Sequence, residues 1–243
     1  MGELVGISTV DGIATVTLDS PANRNALSQQ LLADFHAALD EAEHNEARVV
    51  VLTHTPPVFC AGADLKERAA GVVDSTSFVR AIDRLGTIAA PVIAAIDGPV
   101  RAGGIGIMAA CDLVVVNPTI TFAFTEVRIG VAPAIITAPI LARCGWSKLA
   151  APYLTGEVFD ASRALDIGLV THVVDDVGAT VADLCRSLLL GGPNALAATK
   201  ALLRRPHTMA ELQALSESLF TSDEGREGMA AFAEKRLPNW AGA

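Results

Sequence analysis

Apolar and polar residues alternate along two runs near the start of the chain, residues 4–10 and 13–18, with Asp11-Gly12 between them. Alternation with period two buries one face of a strand, and an Asp-Gly pair accepts the backbone angles of a two-residue turn. A β-hairpin is therefore predicted. The period then changes. Leu32, Phe35 and Leu39 recur at helical spacing behind Ser28, which predicts an amphipathic helix capped by that serine and running to about Glu43. Residues 48–53 (RVVVLT) form a short apolar run, the pattern of a strand covered on both faces. Beyond Pro56-Pro57 the pattern predicts a helix over 77–89 and a strand over 91–96 ended by Asp97-Gly98-Pro99. A glycine-rich helix start follows at 102–110, then strands at 112–116 and 119–124. Such alternation predicts α/β layers joined by crossovers. From about Ala134 the pattern is mostly helical. Ser162 is placed to cap a short helix ending at Gly168, and 170–174 reads as a brief strand. Helices are expected at 177–190, 193–204 and 208–235, with Pro193 in a first turn. No low-complexity linker interrupts the chain, and the expected division is a core over 1–190 and a helical part over 191–243.

Composition narrows the class. With 243 residues, 51% hydrophobic and 19% charged, the chain is not disordered and is long enough to bury a large core. Its 18 basic and 27 acidic residues leave a formal charge of −9, which argues against a nucleic-acid surface. A membrane span needs roughly 18 to 20 uninterrupted apolar residues. The run 88–116 is broken by Pro91, Asp97, Pro99, Arg101 and Asp112, so no span is expected. Residues 1–10 show no basic region before an apolar run, so no targeting peptide is read and a cytoplasmic location is expected. The four cysteines, Cys60, Cys111, Cys144 and Cys185, lack C-x-x-C spacing and predict buried free thiols. The histidines have no metal-ligand spacing and there is no G-x-S-x-G elbow, so no metal site and no hydrolase nucleophile is expected.

Three segments carry possible chemistry. Residues 59–66 (FCAGADLK) leave a strand, and their small side chains let a ligand approach the main chain. Asp64 is placed to start a helix whose first N–H groups are free donors. Residues 97–106 (DGPVRAGGIG) leave the next strand in the same way. One backbone donor from each turn, meeting at one oxygen, would form an oxyanion hole; plain strand-to-helix turns are the alternative. Glu126 follows an apolar strand in 122–130 (FAFTEVRIG). Burial there would raise its pKa and strengthen it as a base; an ion pair with Arg128 is the alternative. Gly104-x-Gly106-x-x-Ala109 formally fits a dinucleotide fingerprint, but seven residues separate it from the strand end at Ile96, too many for that tight turn.

These segments resemble the enoyl-CoA hydratase/isomerase family, the crotonase superfamily. Asn23-Arg24-Asn25-Ala26-Leu27 and residues 225–236 (GREGMAAFAEKR) complete the likeness, which spans nearly the whole chain. The resemblance implies an α/β fold, a crotonase-like spiral of ββα units with a helical C-terminal part. It implies an acyl-CoA-binding core over 1–190 and a trimerisation part over 191–243, in a homotrimer or dimer of trimers. The substrate would be an acyl-CoA thioester, with coenzyme A part of it and no separate cofactor. Ala63 and Gly103 N–H groups would hold the thioester oxygen, with Glu126 as the catalytic carboxylate. Ala63, Asp64, Leu65 and Lys66, with Arg24, Phe232 and Lys235, would contact coenzyme A, and Arg101, Gly106 and Pro133 would face the acyl group.

The departures from the family pattern matter as much. The family's first glutamate, in G-G-x-E, falls on Gly106, so a two-carboxylate hydration scheme is incomplete. Residues 132–136 (APAII) replace the common P-G-x-G-G-T-Q. The run 125–134 (TEVRIGVAPA) with glycine at 106 resembles a bacterial branch acting on branched thioesters such as methylglutaconyl-CoA. Arg101 stands where small residues are usual; a contact to a substrate carboxylate is one expectation, solvent or Asp97 the other. The implied activity is enoyl-CoA hydration, with Δ3–Δ2 isomerisation or acyl-CoA binding without catalysis as alternatives.

Overall fold

The computed structural model describes residues 4–241. β1 (Val5–Val10) pairs antiparallel with β2 (Ile13–Leu18) across Asp11 and Gly12, whose φ angles of 49° and 75° match the twist of the two strands. α1 (Gln29–His44) follows, with the Ser28 side chain accepting from Leu31 N, and buries Leu31, Leu32, Phe35 and Leu39. Next come β3 (Val49–His54), α2 (Leu65–Ala69), α3 (Thr76–Thr87), β4 (Val92–Ile96), β5 (Val100–Arg101) and α4 (Gly103–Ala110). β6 (Leu113–Val116), β7 (Thr121–Ala123), α5 (Ala134–Arg143), α6 (Trp146–Thr155), β8 (Phe159–Asp160) and α7 (Ala161–Asp166) continue the chain. β9 (His172–Val173), α8 (Val177–Leu189), α9 (Pro193–Leu202), α10 (Met209–Thr221) and α11 (Asp223–Glu234) complete it.

The main sheet has the order β1-β2-β3-β4-β6-β9 and is parallel from β2 onward. β4 and β6 are apolar throughout, and β3 is apolar from Val49 to Leu52, because both faces are covered. Val50, Leu52, Ala94, Ile96, Val114 and Val116 face the larger core, shared with α1, α3 and α4. The alternate residues Val49, Val51, Ile93, Ala95 and Val115 face Val177, Val181 and Cys185 of α8. Among the described residues no helix is long and apolar enough to cross a membrane.

Three features differ from the pattern-based expectation. A second sheet, β5-β7-β8, stands beside the first, and two of its strands are only two residues long. Elements that short leave no period to detect. α7 is capped by Asp160, which accepts from Arg163 N at 2.8 Å, and not by Ser162. Residues 208–235 form two helices instead of one. Ser222 is extended (φ −71°, ψ 161°) and its hydroxyl caps α11 by accepting from Gly225 N at 2.9 Å. Helical periodicity persists across such a break because both helices use the same kinds of residue.

The C-terminal helices are tied to the core by buried charge. Lys200 of α9 is 7% exposed and donates to the Leu85 and Ala90 carbonyls, each at 3.0 Å, and pairs with Asp112 at 2.9 Å. Arg48 donates to Gly191 O at 2.6 Å and to Trp240 O at 3.0 Å. All four cysteines are buried and free, and burial pushes the Cys60 and Cys111 thiols up to about 12. Since the thiolate is the reactive form, a disulfide reagent is expected to leave the native protein unlabelled and to count four thiols once it is denatured. Fast labelling of the native protein would contradict the placement of these side chains.

Candidate active site

The chain leaving β3 and the chain leaving β4 stay paired after the sheet ends. Phe59 N donates to Pro99 O at 3.2 Å, Cys60 bridges Val100, and Arg101 N donates to Cys60 O at 3.0 Å. The Asn23–Leu27 motif straps the first of these turns. Asn25 Nδ2 donates to Val58 O at 2.8 Å, Ala61 N to Arg24 O at 3.0 Å, and Leu27 N to Gly62 O at 2.8 Å. The turns touch at Gly62 (φ 94°) and Ala102 (φ 48°), where a Cβ on Gly62 would lie 2.8 Å from Ala102 Cβ. Only glycine fits there, by space and by backbone angle.

This ladder delivers Ala63 beside Gly103: a Cβ on Gly103 would sit 3.8 Å from Ala63 N. Gly103 opens α4, so its N–H has no acceptor within the helix. Among the described residues neither the Ala63 nor the Gly103 N–H is donated to a protein group. Both residues line one cavity of about 500 Å³. Two undonated amides on residues that line one cavity, one at the positive end of a helix, can hold an oxygen that gains negative charge.

Glu126 lines the same cavity. It opens a short 3-10 turn (Glu126–Ile129) after β7, and its Oε2 is enclosed with no hydrogen-bond partner. Burial pushes its pKa above the usual carboxylate range, opposed more weakly by its own backbone amide. The alternative pairing does not form, because Arg128 donates its Nε to Gly156 O at 3.1 Å. Phe78, Ile129, Val131, Pro133, Ile135 and Ile136 supply apolar wall.

The sequence-derived residues divide into two groups. Ala63, Leu65, Gly103, Glu126 and Pro133 meet at the cavity. Asp64 instead caps α2, accepting from Lys66 N at 2.8 Å, and Lys66 and Arg24 are exposed beside the first turn. Phe232 (87% exposed) and Lys235 lie at the end of α11 and do not line the cavity. Gly106 is fully enclosed, and a Cβ there would lie 2.8 Å from Ile136 Cβ and closer still to its Cγ2. Any side chain at position 106, where the resemblance places the family's first glutamate, would run into Ile136. Gly104 is used similarly, packed on Cys60, so these glycines serve close packing and not a dinucleotide.

Arg101 corrects the expectation of an acyl-pocket contact. Its guanidinium donates to Val100 O at 2.9 Å, Thr121 O at 2.5 Å and Thr121 Oγ1 at 2.8 Å, and it does not line the cavity. It faces neither solvent alone nor Asp97; it stitches β5 to β7. Arg101→Ala is expected to cost about 1–3 kcal/mol of stability by leaving buried carbonyls unpaired. Discrimination between carboxylated and plain enoyl thioesters should stay unchanged, which competition assays with the two substrates would check. Sequence reasoning does not single out Phe78 and Ile136, since an apolar run shows burial but not which side chain meets a cavity.

With this geometry in place, similarity to known proteins adds a family. The model of the enoyl-CoA hydratase/isomerase family matches residues 8–243. A crystal structure of a putative enoyl-CoA hydratase from Mycobacterium avium paratuberculosis K-10 is 45% identical, with a TM-score of 0.78 over 98% of this chain and 99% of that one. An enoyl-CoA hydratase/isomerase from Marinobacter aquaeolei is 29% identical, with a TM-score of 0.91 over 99% and 100%. An enoyl-CoA isomerase/hydratase of Mycosarcoma maydis is 32% identical over 95% of this chain and 93% of its own length. The chain belongs to the enoyl-CoA hydratase/isomerase family and has its crotonase fold.

Proposed function

We propose that the protein hydrates an enoyl-CoA thioester with Glu126 as its one acid–base group. The observation that carries this reading is that Glu126, its Oε2 enclosed and unpartnered, lines the same cavity as Ala63 and Gly103, the two residues with undonated amides. The thioester oxygen accepts from Ala63 and Gly103, which draws electrons from C3 and stabilises the enolate. Ionised Glu126 takes a proton from water as the oxygen bonds to C3, and the π pair moves to the thioester oxygen. The Glu126 carboxyl then gives a proton to C2 and the carbonyl re-forms. A single carboxylate serving both steps adds oxygen and hydrogen to one face of the double bond. A pKa raised by burial suits a group that must accept and return a proton.

The apolar walls support an apolar, branched acyl group. With Phe232 and Lys235 exposed, their coenzyme A contacts fall to a neighbouring subunit of a trimer on this reading. Ile136 in the place of a second carboxylate favours one rival, Δ3–Δ2 isomerisation, in which Glu126 removes a C2 proton and returns it at C4. Incubation with 2-enoyl and 3-enoyl thioesters, followed by mass spectrometry, separates the two. Hydration adds one water to the 2-enoyl substrate. Isomerisation converts the 3-enoyl substrate at constant mass and with new conjugated absorbance. Tight binding with neither product would leave an acyl-CoA binder.

A further inference from the structure

His54 ends β3, and its ring is held between the two turns that lead to the oxyanion amides. Nε2 accepts from Asp97 N at 3.2 Å, at the point where the chain leaves β4. Nδ1 faces Thr55 O at 3.3 Å, at the start of the first turn. An accepting Nε2 carries no hydrogen, so the ring is the neutral tautomer with its hydrogen on Nδ1. The ring meets Phe59 edge to face at 5.5 Å and 84°, and Gly98 has no room for a side chain, since a Cβ would lie 2.9 Å from His54 Cε1. From this joint the ladder runs through Phe59–Pro99 and Cys60–Val100 to Ala63 and Gly103.

We propose that His54 is a positioning residue for the oxyanion pair: by accepting the Asp97 N–H it fixes the starting register of the two turns that end at Ala63 and Gly103. This rests on the two-amide reading above. The Asn23–Leu27 strap holds the first turn, whereas the second turn meets it only through Phe59–Pro99, Cys60–Val100 and Arg101–Cys60, so an offset of the second turn at Asp97 is carried along to Gly103. A displacement of about 1 Å at a catalytic group costs rate steeply. The bond also has a condition. A protonated ring would set an N–H against the Asp97 N–H.

The groups around His54 keep it neutral. It is 8% exposed, and burial lowers its pKa below the ordinary 6.5, while the Thr55 carbonyl, the Asp97 carboxylate and the Val58 carbonyl oppose this. Asp19, which accepts from the Thr55 hydroxyl at 2.6 Å, is the other nearby acid. A histidine with a depressed native pKa stabilises the fold above its unfolded value and loses that contribution as pH falls towards the native one. The register is therefore secure at neutral pH and is released on acidification.

The test uses the coenzyme A thioester of a conjugated aryl-enoic acid, whose absorbance moves to longer wavelength when its carbonyl is polarised. The wild-type enzyme should show this shift at neutral pH. His54→Leu should lose most of the shift and about tenfold or more in kcat, with affinity for coenzyme A itself unchanged. His54→Gln, whose amide oxygen reaches the Nε2 position without titrating, should restore both. It should also hold its shift to lower pH than the wild type does. A wild-type shift and kcat in His54→Leu would overturn the proposal, as would superimposable pH profiles for wild type and His54→Gln. The second comparison decides the matter if His54→Leu fails to fold. Absence of any shift in the wild type would overturn the two-amide reading itself and this proposal with it.

Discussion

Glu126→Gln is expected to lower kcat by at least about a hundredfold, the loss that follows removal of a general base. Thioester affinity should hold, because the amides of Ala63 and Gly103 and the apolar walls are untouched. The same change should stabilise the fold at neutral pH. Glu126 has a native pKa above its ordinary 4.5 because burial disfavours its charge, and Oε2 finds no partner to compensate. A carboxyl with a raised native pKa contributes its stability below the unfolded value and loses it as pH rises through the native one. The melting temperature of the glutamine variant should therefore exceed that of the wild type at pH 7, and the gap should close towards pH 4. Steady-state kinetics and melts across that range read both effects. Near-normal turnover would remove Glu126 from its role as base, and a wild type more stable than the variant at pH 7 would contradict its desolvation.

Gly106→Ala should cost about 1–3 kcal/mol, as overfilling a packed core does. At this chain length that is about 2–4 °C of melting temperature per kcal/mol. The added Cβ would press on Ile136, which is 2% exposed and held by α5. Gly106→Glu, which restores the family's first carboxylate in name, should be far worse, because its chain has no path past the isoleucine. Ile136→Ala costs stability alone but should offset much of the Gly106→Ala loss, since the two positions share one space. A double-mutant cycle in denaturant gives the coupling. Additive losses would mean that the two side chains do not compete. A second acid cannot be grafted into this site without first clearing the isoleucine, so the one-carboxylate arrangement is a property of the packing and not of position 106 alone.

Much of this was legible from local chemistry. The Asp11-Gly12 turn, the Ser28 cap and the buried runs of β3 and β4 depend on residues adjacent in sequence, and all stand in the structure. So do Asp64 at a helix start and the convergence of Ala63, Gly103 and Glu126 on one cavity. What stayed illegible was set by distant partners. Arg101 looks like a free cation until Thr121, twenty positions away in the chain and beside it in the small sheet, takes its donors. The glycine at 106 looks like a lost catalytic group until Ile136 is seen in its space. The break at Ser222 depends on one hydroxyl choosing Gly225 N, a choice that hydrophobic spacing does not record.

The Lys200 ammonium has a consequence for how the chain can be divided. Asp112 and the carbonyls of Leu85 and Ala90 end the α3 and α4 segments that build the cavity, yet their counter-charge comes from Lys200 of α9 and, for Asp112, also from Arg204 just beyond it. A fragment ending at residue 190 would retain Ala63, Gly103 and Glu126 but leave a carboxylate and two carbonyls stranded without a cation. The tail is therefore not an optional extension. Shortening the protein, swapping its end with that of a relative, or splitting it for complementation must carry an equivalent positive charge back to that place.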